Sequence, residues 1–368
     1  MEQTWQEELA QNVTSVDELS KIIPLTEKEK AGMREVTAYF PMSIPKYYLG
    51  LVDLGDPDDP IRKMCVPAAS GLDRKGLLDQ SGEASNTVLP GMQHKYRQTV
   101  LILTSNHCGM YCRYCFRRRL VGLSSDEVAK HLDEMVDYIA IHPEITDVLL
   151  SGGDALINTN STIERYLSAF CDMPQLDFIR LGSRAPVSFP HRITHDPDLL
   201  AMLRCYQQRK QLYVVTHFNH PREFTDESYE AIQALQQAGL TVKNQTVLLR
   251  GVNDNPGTLA EVLRSCTRWG IVQHYIFQCR PVLGVLSRFQ VPIMRGSEIV
   301  NEANARQNGF GKAADYTMSH ITGKIRILGR DKSNRMCFQY KQAKDPTRVG
   351  RLFSRALSES SCWLDDLS

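Results

Sequence analysis

The chain has 368 residues, with 43 lysines and arginines against 42 aspartates and glutamates, which gives a formal charge of +1. That balance argues against a general nucleic-acid binder, which would carry a basic excess. No apolar run reaches the length of a membrane-spanning helix, and the start MEQTWQEELAQNV lacks the apolar stretch of a secretory signal. We therefore expect a cytoplasmic protein with neither a nucleic-acid nor a membrane partner.

The first 95 residues predict an N-terminal helical extension. TSVDELSKII and TEKEKAGMREV each open on a threonine with an acidic residue three or four positions later, close to the pattern of a helix N-terminal cap. The polar, turn-rich stretches DLGDPDDP and LDQSGEASNTVLPG predict loops.

A repeating pattern follows over residues 96–290. Six short apolar runs predict strands, at 99–105, 145–151, 176–183, 212–218, 240–249 and 271–279. Helical patterns lie between them, the clearest over 124–140 with Ser124 or Ser125 as its cap. Six strand–helix repeats in series predict parallel strands in an open sheet or a barrel. Residues 291–368 form a C-terminal segment with one strand-like piece, GKIRILG.

Polar motifs follow each predicted strand. SGGDAL comes after the second strand, GSRAP after the third, HFNHP after the fourth and QCRP after the sixth. Sheets and barrels of this kind collect their chemistry at the carboxyl ends of the strands. We therefore expect these motifs to meet at one site.

Three of the ten cysteines follow the first strand, in SNHCGMYCRYCFRRR. Cys108, Cys112 and Cys115 have C-x3-C-x2-C spacing, and thiolates favour zinc or iron–sulfur clusters. A structural zinc ion normally takes four protein ligands, and no second cysteine pair is present. Three thiolates can instead bind three irons of a four-iron cluster and leave the fourth iron open. The alternatives are three incidental cysteines or a zinc site without an evident fourth ligand.

This cysteine motif resembles that of radical S-adenosylmethionine enzymes, and YCRYCFRRR resembles lysine 2,3-aminomutase and its relatives. The likeness continues in LSGGDAL, GSRAPVSFPHRIT, THFNHPRE, NQTVLLRGVND and HITGK. The resemblance implies a partial (β/α)6 TIM-like barrel and an isomerase that moves an α-amino group to the β carbon. It also implies a [4Fe-4S] cluster, S-adenosylmethionine, pyridoxal phosphate, a reducing partner such as flavodoxin or ferredoxin, and a possible homo-oligomer.

The resemblance also implies residue roles. Cys108, Cys112 and Cys115 would bind the cluster, and Lys324 would form the Schiff base with pyridoxal phosphate. Arg117 would bind the substrate α-carboxylate. The remaining cofactor contacts would come from Ser151, Gly152, Gly153, Asp154, His217, Asn219 and Gln245.

Several positions depart from the family pattern. The phosphate-binding arginine of the family aligns with Thr99, for which Arg97 is a hypothetical substitute, and the glycine run before Lys324 is thinned to HITG. Two aspartates that bind the distant ammonium of lysine align with Arg280 and Thr317. An arginine would repel an ammonium, so the pattern favours an acidic substrate, L-glutamate converted to β-glutamate.

Other interpretations stay open. Arg280 could point elsewhere, or Asp315 could replace the lost aspartate, which would leave L-lysine or another amino acid as substrate. Cys337, Cys362 and Asn255 do not reproduce the family's zinc cluster, so we expect no structural zinc. Rival functions are a radical enzyme without pyridoxal phosphate, a relative that modifies a translation factor, and a non-enzymatic iron–sulfur sensor.

Overall fold

The helices of the N-terminal segment begin at capping residues. In the computed structural model, which describes residues 4–366, Ser15 and Thr26 each accept a hydrogen bond from the backbone of a glutamate three residues later. Each glutamate carboxylate bonds back to the backbone of its cap, which completes a capping box. The helices of this segment are α1 (Trp5–Leu9), α2 (Val16–Leu19), α3 (Glu27–Tyr39), α4 (Lys46–Leu49) and α5 (Pro60–Cys65).

One twelve-stranded sheet runs through the described residues, with its strands in chain order. Its strands are β1 (Thr87–Leu89), β2 (Met92–Tyr96), β3 (Thr99–Ser105), β4 (Asp147–Gly152), β5 (Phe178–Gly182), β6 (Gln211–Thr216), β7 (Thr241–Leu248), β8 (Val272–Gln278), β9 (Asp315–His320), β10 (Gly323–Arg330), β11 (Met336–Ala343) and β12 (Leu352–Arg355). Neighbours from β3 to β9 pair in parallel. The strands at both ends pair antiparallel. The fold is mixed α/β. The six predicted runs coincide with β3 to β8 to within two residues, whereas the seventh parallel strand, β9, was not predicted.

Helices connect the parallel strands. They are α6 (Leu132–Ala140), α7 (Asn160–Cys171), α8 (Ala185–Ser188), α9 (His191–Thr194), α10 (Pro197–Gln207), α11 (Asp226–Gln237), α12 (Pro256–Arg268), α13 (Leu286–Phe289) and α14 (Ile293–Ala305). Within residues 4–366, none of the helices combines the length and the apolar character needed to cross a bilayer.

The prediction of a helix from residue 124 is wrong, because α6 begins only at Leu132. The backbone amide of Ala129 donates to the carbonyl of Leu103 at 2.8 Å, so this segment runs beside β3 instead of coiling. Ser124 closes a local turn by accepting from the amide of Asp126 at 3.1 Å. Contacts with a distant strand therefore override the helical periodicity.

Two apolar clusters fill the interior. The larger combines side chains of the extension, such as Trp5 and Met64, with those of β3 to β7 and their helices. The smaller lies under the C-terminal strands, where Phe338 and Trp363 pack with Ile276 of β8. The predicted boundary at 95/96 falls inside β2, and the sheet itself continues across it.

Candidate active site

A cavity of about 650 Å³ lies against the sheet and takes its lining from β2 through β11. Residues from so many strands can face one space only if the sheet curves around it. Twelve of the fourteen predicted site residues line this cavity, namely Cys108, Cys112, Cys115, Arg117, Ser151, Gly152, Gly153, Asp154, His217, Gln245, Arg280 and Lys324. Asn219 and Thr317 are not among its lining residues.

The N-terminal extension fixes the cysteine loop from outside. The amides of Tyr111 and Arg113 donate to the carbonyls of Ser43 and Met64 at 2.9 and 2.8 Å. The Arg113 guanidinium is buried and donates to the Pro41 carbonyl at 3.0 Å. Between the cysteines, the amide of Cys115 donates to the Cys112 carbonyl at 3.1 Å. The three thiols are free of disulfides and face the cavity.

Two glycines let the end of β4 lie directly against the same loop. A Cβ on Gly153 would lie 2.0 Å from the His107 carbonyl oxygen, and one on Gly152 would lie 2.2 Å from that of Ser105. Gly152 also has a φ of +124°, which side chains disfavour. Gly153 thus admits the cysteine loop and Gly152 admits the end of β3, while the predicted contact of both glycines with a ligand stays a prediction.

Two predicted cofactor residues make buried structural hydrogen bonds. The carboxylate of Asp154 accepts from the amides of Arg184 and Leu156 at 2.7 and 3.0 Å, and burial raises its pKa. Asn219 donates to the Tyr114 hydroxyl and accepts from the Val247 amide, both at 2.7 Å. The Asp154 bonds join the loops that follow β4 and β5, and the Asn219 bonds join the loop after β6 to the cysteine loop and to β7.

His217 and Gln245 lie at the cavity wall on neighbouring strands of the sheet or just beyond them. Burial, followed by the charges of Arg184 and Arg280, lowers the pKa of His217 to about 4. The imidazole is therefore neutral at pH 7. It can donate one hydrogen bond and accept another, as recognition of a neutral polar ligand requires.

Lys324 lies in β10 and reaches the cavity among aromatic rings. Its Nζ atom is 4.6 Å from the centroid of the Tyr275 ring and 5.9 Å from that of Phe277. Burial, with smaller effects from Arg180 and Arg280, lowers the pKa of its amine to about 7. A substantial fraction of Lys324 is thus neutral and nucleophilic near pH 7.

Arg117 is buried and already positioned by side chains of the chain itself. Its Nε donates to Glu83 at 2.7 Å and its Nη1 donates to the Ser151 hydroxyl at 3.0 Å. The other oxygen of Glu83 accepts from Arg119 at 2.6 Å. Glu83 therefore orients the guanidinium that the sequence assigns to a substrate carboxylate.

Arg280 lines the cavity with hydroxyl groups as its hydrogen-bonding partners. Nη2 donates to Ser319 at 2.9 Å, Nη1 donates to Ser81, and the guanidinium lies 3.8 Å from the centroid of the Phe116 ring. Burial, with lesser contributions that include the charge of Arg117, lowers its pKa to about 10. It remains a cation at pH 7 and forms no salt bridge within residues 4–366.

The neighbour of Arg280 on β9 is Ser319, where we predicted Thr317. Thr317 is fully buried, and its hydroxyl donates to the carbonyl of Asp315 at 3.3 Å. Asp315 itself forms salt bridges with Arg326 and Lys341, both at 2.5 Å, and does not line the cavity. The structure thus gives no support to Asp315 as a substitute for the lost aspartate.

Further cations lie around Lys324 where the strands begin. Arg180 pairs with Asp147, which also accepts from the Thr99 hydroxyl at 2.8 Å. Lys243 lines the cavity and forms no salt bridge among the described residues. Burial and the charges of Lys324, Lys243 and Arg180 lower the pKa of His274 to about 3. Arg97, our hypothetical phosphate ligand, is not among the lining residues.

Sequence reasoning missed several of these cavity residues. Glu83 lies in a stretch that reads as an ordinary polar loop, and no local signal reveals its pairing with Arg117. Ser319 could have been found from strand alternation, because it is five residues before Lys324 in the adjacent antiparallel strand and pairs with it directly. Arg184 stood in the quoted GSRAP motif without a role.

Comparisons with known proteins agree with this site. No family model matches the chain. The L-lysine 2,3-aminomutase of Clostridium subterminale is 39% identical over 83% of this chain and 73% of the relative. The glutamate 2,3-aminomutase of Clostridioides difficile is 37% identical over 83% and 71%. A protein of Aquifex aeolicus, provisionally named an L-lysine 2,3-aminomutase, is 37% identical over 95% of this chain and 93% of its own.

A solved radical SAM methyltransferase from Sphaerobacter thermophilus aligns with a TM-score of 0.40 and 16% identity, over 61% of this chain and 68% of its own. That similarity is too low to carry an argument. The three aminomutase relatives, in contrast, are 37–39% identical to this chain, and the alignments cover 83–95% of it. On this evidence the chain belongs to the lysine 2,3-aminomutase family.

Proposed function

We propose that the protein is an isomerase, an amino-acid 2,3-aminomutase that uses a [4Fe-4S] cluster, S-adenosylmethionine and pyridoxal phosphate. The observation that carries this proposal is that three cysteines of one loop and the half-buried Lys324 line the same cavity. A structural zinc site would not need the lysine, and a pyridoxal phosphate enzyme alone would not need three cysteines on one short loop. Family membership supports the combination.

The donor set fits the cluster. Cys108, Cys112 and Cys115 offer three sulfur atoms, and the described chain places no fourth cysteine on the cavity wall apart from Cys279 after β8. Cys279 is buried and its thiol donates to the carbonyl of Arg280 at 3.8 Å. Three loop thiolates would therefore bind the cluster and leave one iron for another ligand.

The surroundings of Lys324 fit pyridoxal phosphate. The neutral amine can bind the aldehyde, and the rings of Tyr96, Tyr275 and Phe277 flank it. Lys243 is one candidate for an anion partner, because it lines the cavity and forms no salt bridge in residues 4–366. Lys95, whose Nζ donates to the His320 carbonyl at 2.7 Å, also lines the cavity. These two lysines would replace the arginine that is absent at Thr99.

When bound, S-adenosylmethionine and the cluster would supply radical chemistry, and pyridoxal phosphate would supply electron delocalisation at the amino group. The residues of the chain position the substrate. Arg117, oriented by Glu83, would bind the α-carboxylate through its outer nitrogens. Neutral His217 and Gln245 would bind polar groups of the cofactors without adding charge. The apolar rings would exclude water from the reacting carbons.

We further propose that the substrate is acidic, with L-glutamate the simplest choice. Arg280 is a half-buried cation in the cavity wall whose hydrogen-bonding partners are two hydroxyls, so a carboxylate of the ligand would supply its missing counter-charge. An ammonium in the same place would be repelled. L-lysine is the alternative, since relatives that act on lysine match equally well in identity.

The test is anaerobic reconstitution followed by incubation with L-glutamate or L-lysine and detection of the β-isomer by chromatography. We expect β-glutamate, and we expect Arg280→Gln to lower kcat/KM for glutamate about 100-fold, or ~3 kcal/mol, because a charge-assisted bond is lost. Arg288→Gln is the matched control, since Arg288 bonds the Val66 carbonyl and does not line the cavity. Lysine converted and glutamate refused would contradict the acidic substrate. Conversion of neither, with no β-isomer formed in a screen of the other amino acids, would contradict the activity.

A further inference from the structure

Arg184 is a buried arginine, and each of its three guanidinium nitrogens has a hydrogen-bonding partner. It lies just after β5, where its Nε donates to the His217 carbonyl at 3.2 Å and its Nη2 to the Tyr48 hydroxyl at 3.1 Å. Nη2 also donates to the carboxylate of Glu223. The remaining nitrogen, Nη1, lies 3.0 Å from the Sγ atom of Cys112.

The position of this guanidinium is fixed from several sides. Glu223 is fully buried, and its second oxygen accepts from the amides of Asn219 and His220 at 2.6 and 3.0 Å. The rings of Tyr48 and Tyr114 lie 5.2 and 5.6 Å from the guanidinium carbon. Arg184 therefore cannot turn away from Cys112 without breaking an ion pair and several hydrogen bonds to buried partners.

The three buried arginines of the loop itself form side-chain hydrogen bonds to oxygen atoms and not to sulfur. Arg113 donates to the carbonyls of Phe40 and Pro41, Arg118 donates to the carbonyl of Leu283, and Arg117 donates to Glu83 and Ser151. Arg113 and Arg118 therefore stabilise the loop by binding backbone carbonyls of neighbouring segments. Arg184 differs because it reaches a sulfur atom and comes from outside the loop.

We propose that Arg184 is a positioning residue for the cluster, and that its charged hydrogen bond to the Cys112 sulfur favours the reduced form. This inference rests on the proposed function, because it takes Cys112 to be a cluster ligand. Reduction adds one electron from an external donor, a flavodoxin- or ferredoxin-type protein or dithionite in vitro. A fixed cation at a ligating sulfur stabilises that added negative charge, since hydrogen bonds to sulfur tune cluster potentials.

Glu223 sets how much of this charge the cluster experiences. Its carboxylate neutralises part of the guanidinium charge from the side opposite Cys112. Removal of the arginine and removal of the carboxylate should therefore change reduction in opposite directions. A merely structural role would predict no such opposition.

The experiment uses the full chain, reconstituted anaerobically without S-adenosylmethionine, with iron and sulfide measured for every variant. The ratio of reduced to oxidised cluster is read by electron paramagnetic resonance at a fixed dithionite poise. We expect Arg184→Met to lower this ratio about tenfold, equal to ~59 mV for one electron. Arg184→Lys should lower it less, because the charge is kept, and Glu223→Gln should raise it a few-fold.

Arg192→Lys is the matched control, because Arg192 is equally buried but pairs with Asp196 and the Leu156 carbonyl. An unchanged ratio in Arg184→Met with full iron content would overturn the proposal, as would weaker binding of S-adenosylmethionine with an unchanged ratio. Folded Arg184 variants that bind no cluster at all would show a structural role and overturn it too. Failure of the wild-type chain to form a [4Fe-4S] cluster would instead contradict the proposed function.

Discussion

Single side chains in this cavity take their properties from burial more than from their immediate sequence. Lys324 follows a glycine in a stretch that would pass for an ordinary strand start, and its pKa of about 7 arises chiefly from desolvation. Arg117 and Arg280 differ in whether a carboxylate of the chain already pairs with them. Arg117 is paired with Glu83, whereas Arg280 has only hydroxyl partners, so the two ends of an acidic amino acid would meet different environments.

The lowered pKa of Lys324 predicts a pH dependence for capture of pyridoxal phosphate by the apoprotein. The neutral amine reacts, so the capture rate should rise about tenfold per pH unit up to about pH 7 and level off above it. An ordinary lysine would continue to gain reactivity up to its usual pKa of 10.5. Stopped-flow absorbance of the bound cofactor measures the rate, and Lys324→Ala gives the background. A rate that still climbs above about pH 9 would contradict this prediction.

The sequence revealed residues that belong to contiguous motifs, but not those that act by long-range pairing. The three loop cysteines and Lys324 belong to recognisable sequence motifs, and all four line the cavity. Glu83 is 34 residues from its partner Arg117. Arg184 is 72 residues from Cys112. Such pairs depend on the packing of separate loops, which local periodicity does not encode.

At the level of elements, the six predicted strands are confirmed, because each pairs in parallel with its neighbour and buries at least every second residue. The first connecting helix was predicted too long, since tertiary hydrogen bonds of Ala129 take the place of a helical turn. The predicted strands keep their bounds because neighbouring strands hydrogen-bond to them. Helix ends depend on whether the flanking backbone finds another acceptor.

The contact between β4 and the cysteine loop predicts the effect of Gly153→Ala. The added Cβ would lie 2.0 Å from a backbone oxygen, so strand and loop must separate. We expect a loss of about 1–3 kcal/mol in the free energy of unfolding together with reduced iron content after reconstitution. Gly309→Ala is the control, because a Cβ there meets nothing within 4 Å. Equal stability and iron content in the two variants would refute the predicted clash.

At the level of the whole molecule, the N-terminal extension and the sheet share one apolar core. The extension supplies the carbonyls that fix the cysteine loop, so the position of that loop depends on how the extension is attached to the sheet. One attachment lies at Trp5, whose Nε1 donates to Asp196 at 3.0 Å while Arg192 lies 4.2 Å from the indole ring. This contact joins the first helix to the region between β5 and β6.

Trp5→Ala should therefore lower the free energy of unfolding by about 3–5 kcal/mol, because a buried indole and its hydrogen bond are both lost. Urea denaturation followed by circular dichroism measures the change. Tyr39→Ala serves as the control, since Tyr39 is 64% exposed. A cost below about 1 kcal/mol for Trp5→Ala would show that the extension is attached mainly elsewhere.

The pairing of β10 with β9, and of β9 with β8, has an evolutionary consequence. Lys324 stands directly opposite Ser319, and side chains alternate between the two faces of a strand. Insertion or deletion of one residue in β9 or β10 would invert the alternation of side chains and turn the Lys324 amine away from the cavity. Homologous chains should thus tolerate length variation in the turn around Asn334, which joins β10 to β11, and almost none between Asp315 and Lys324.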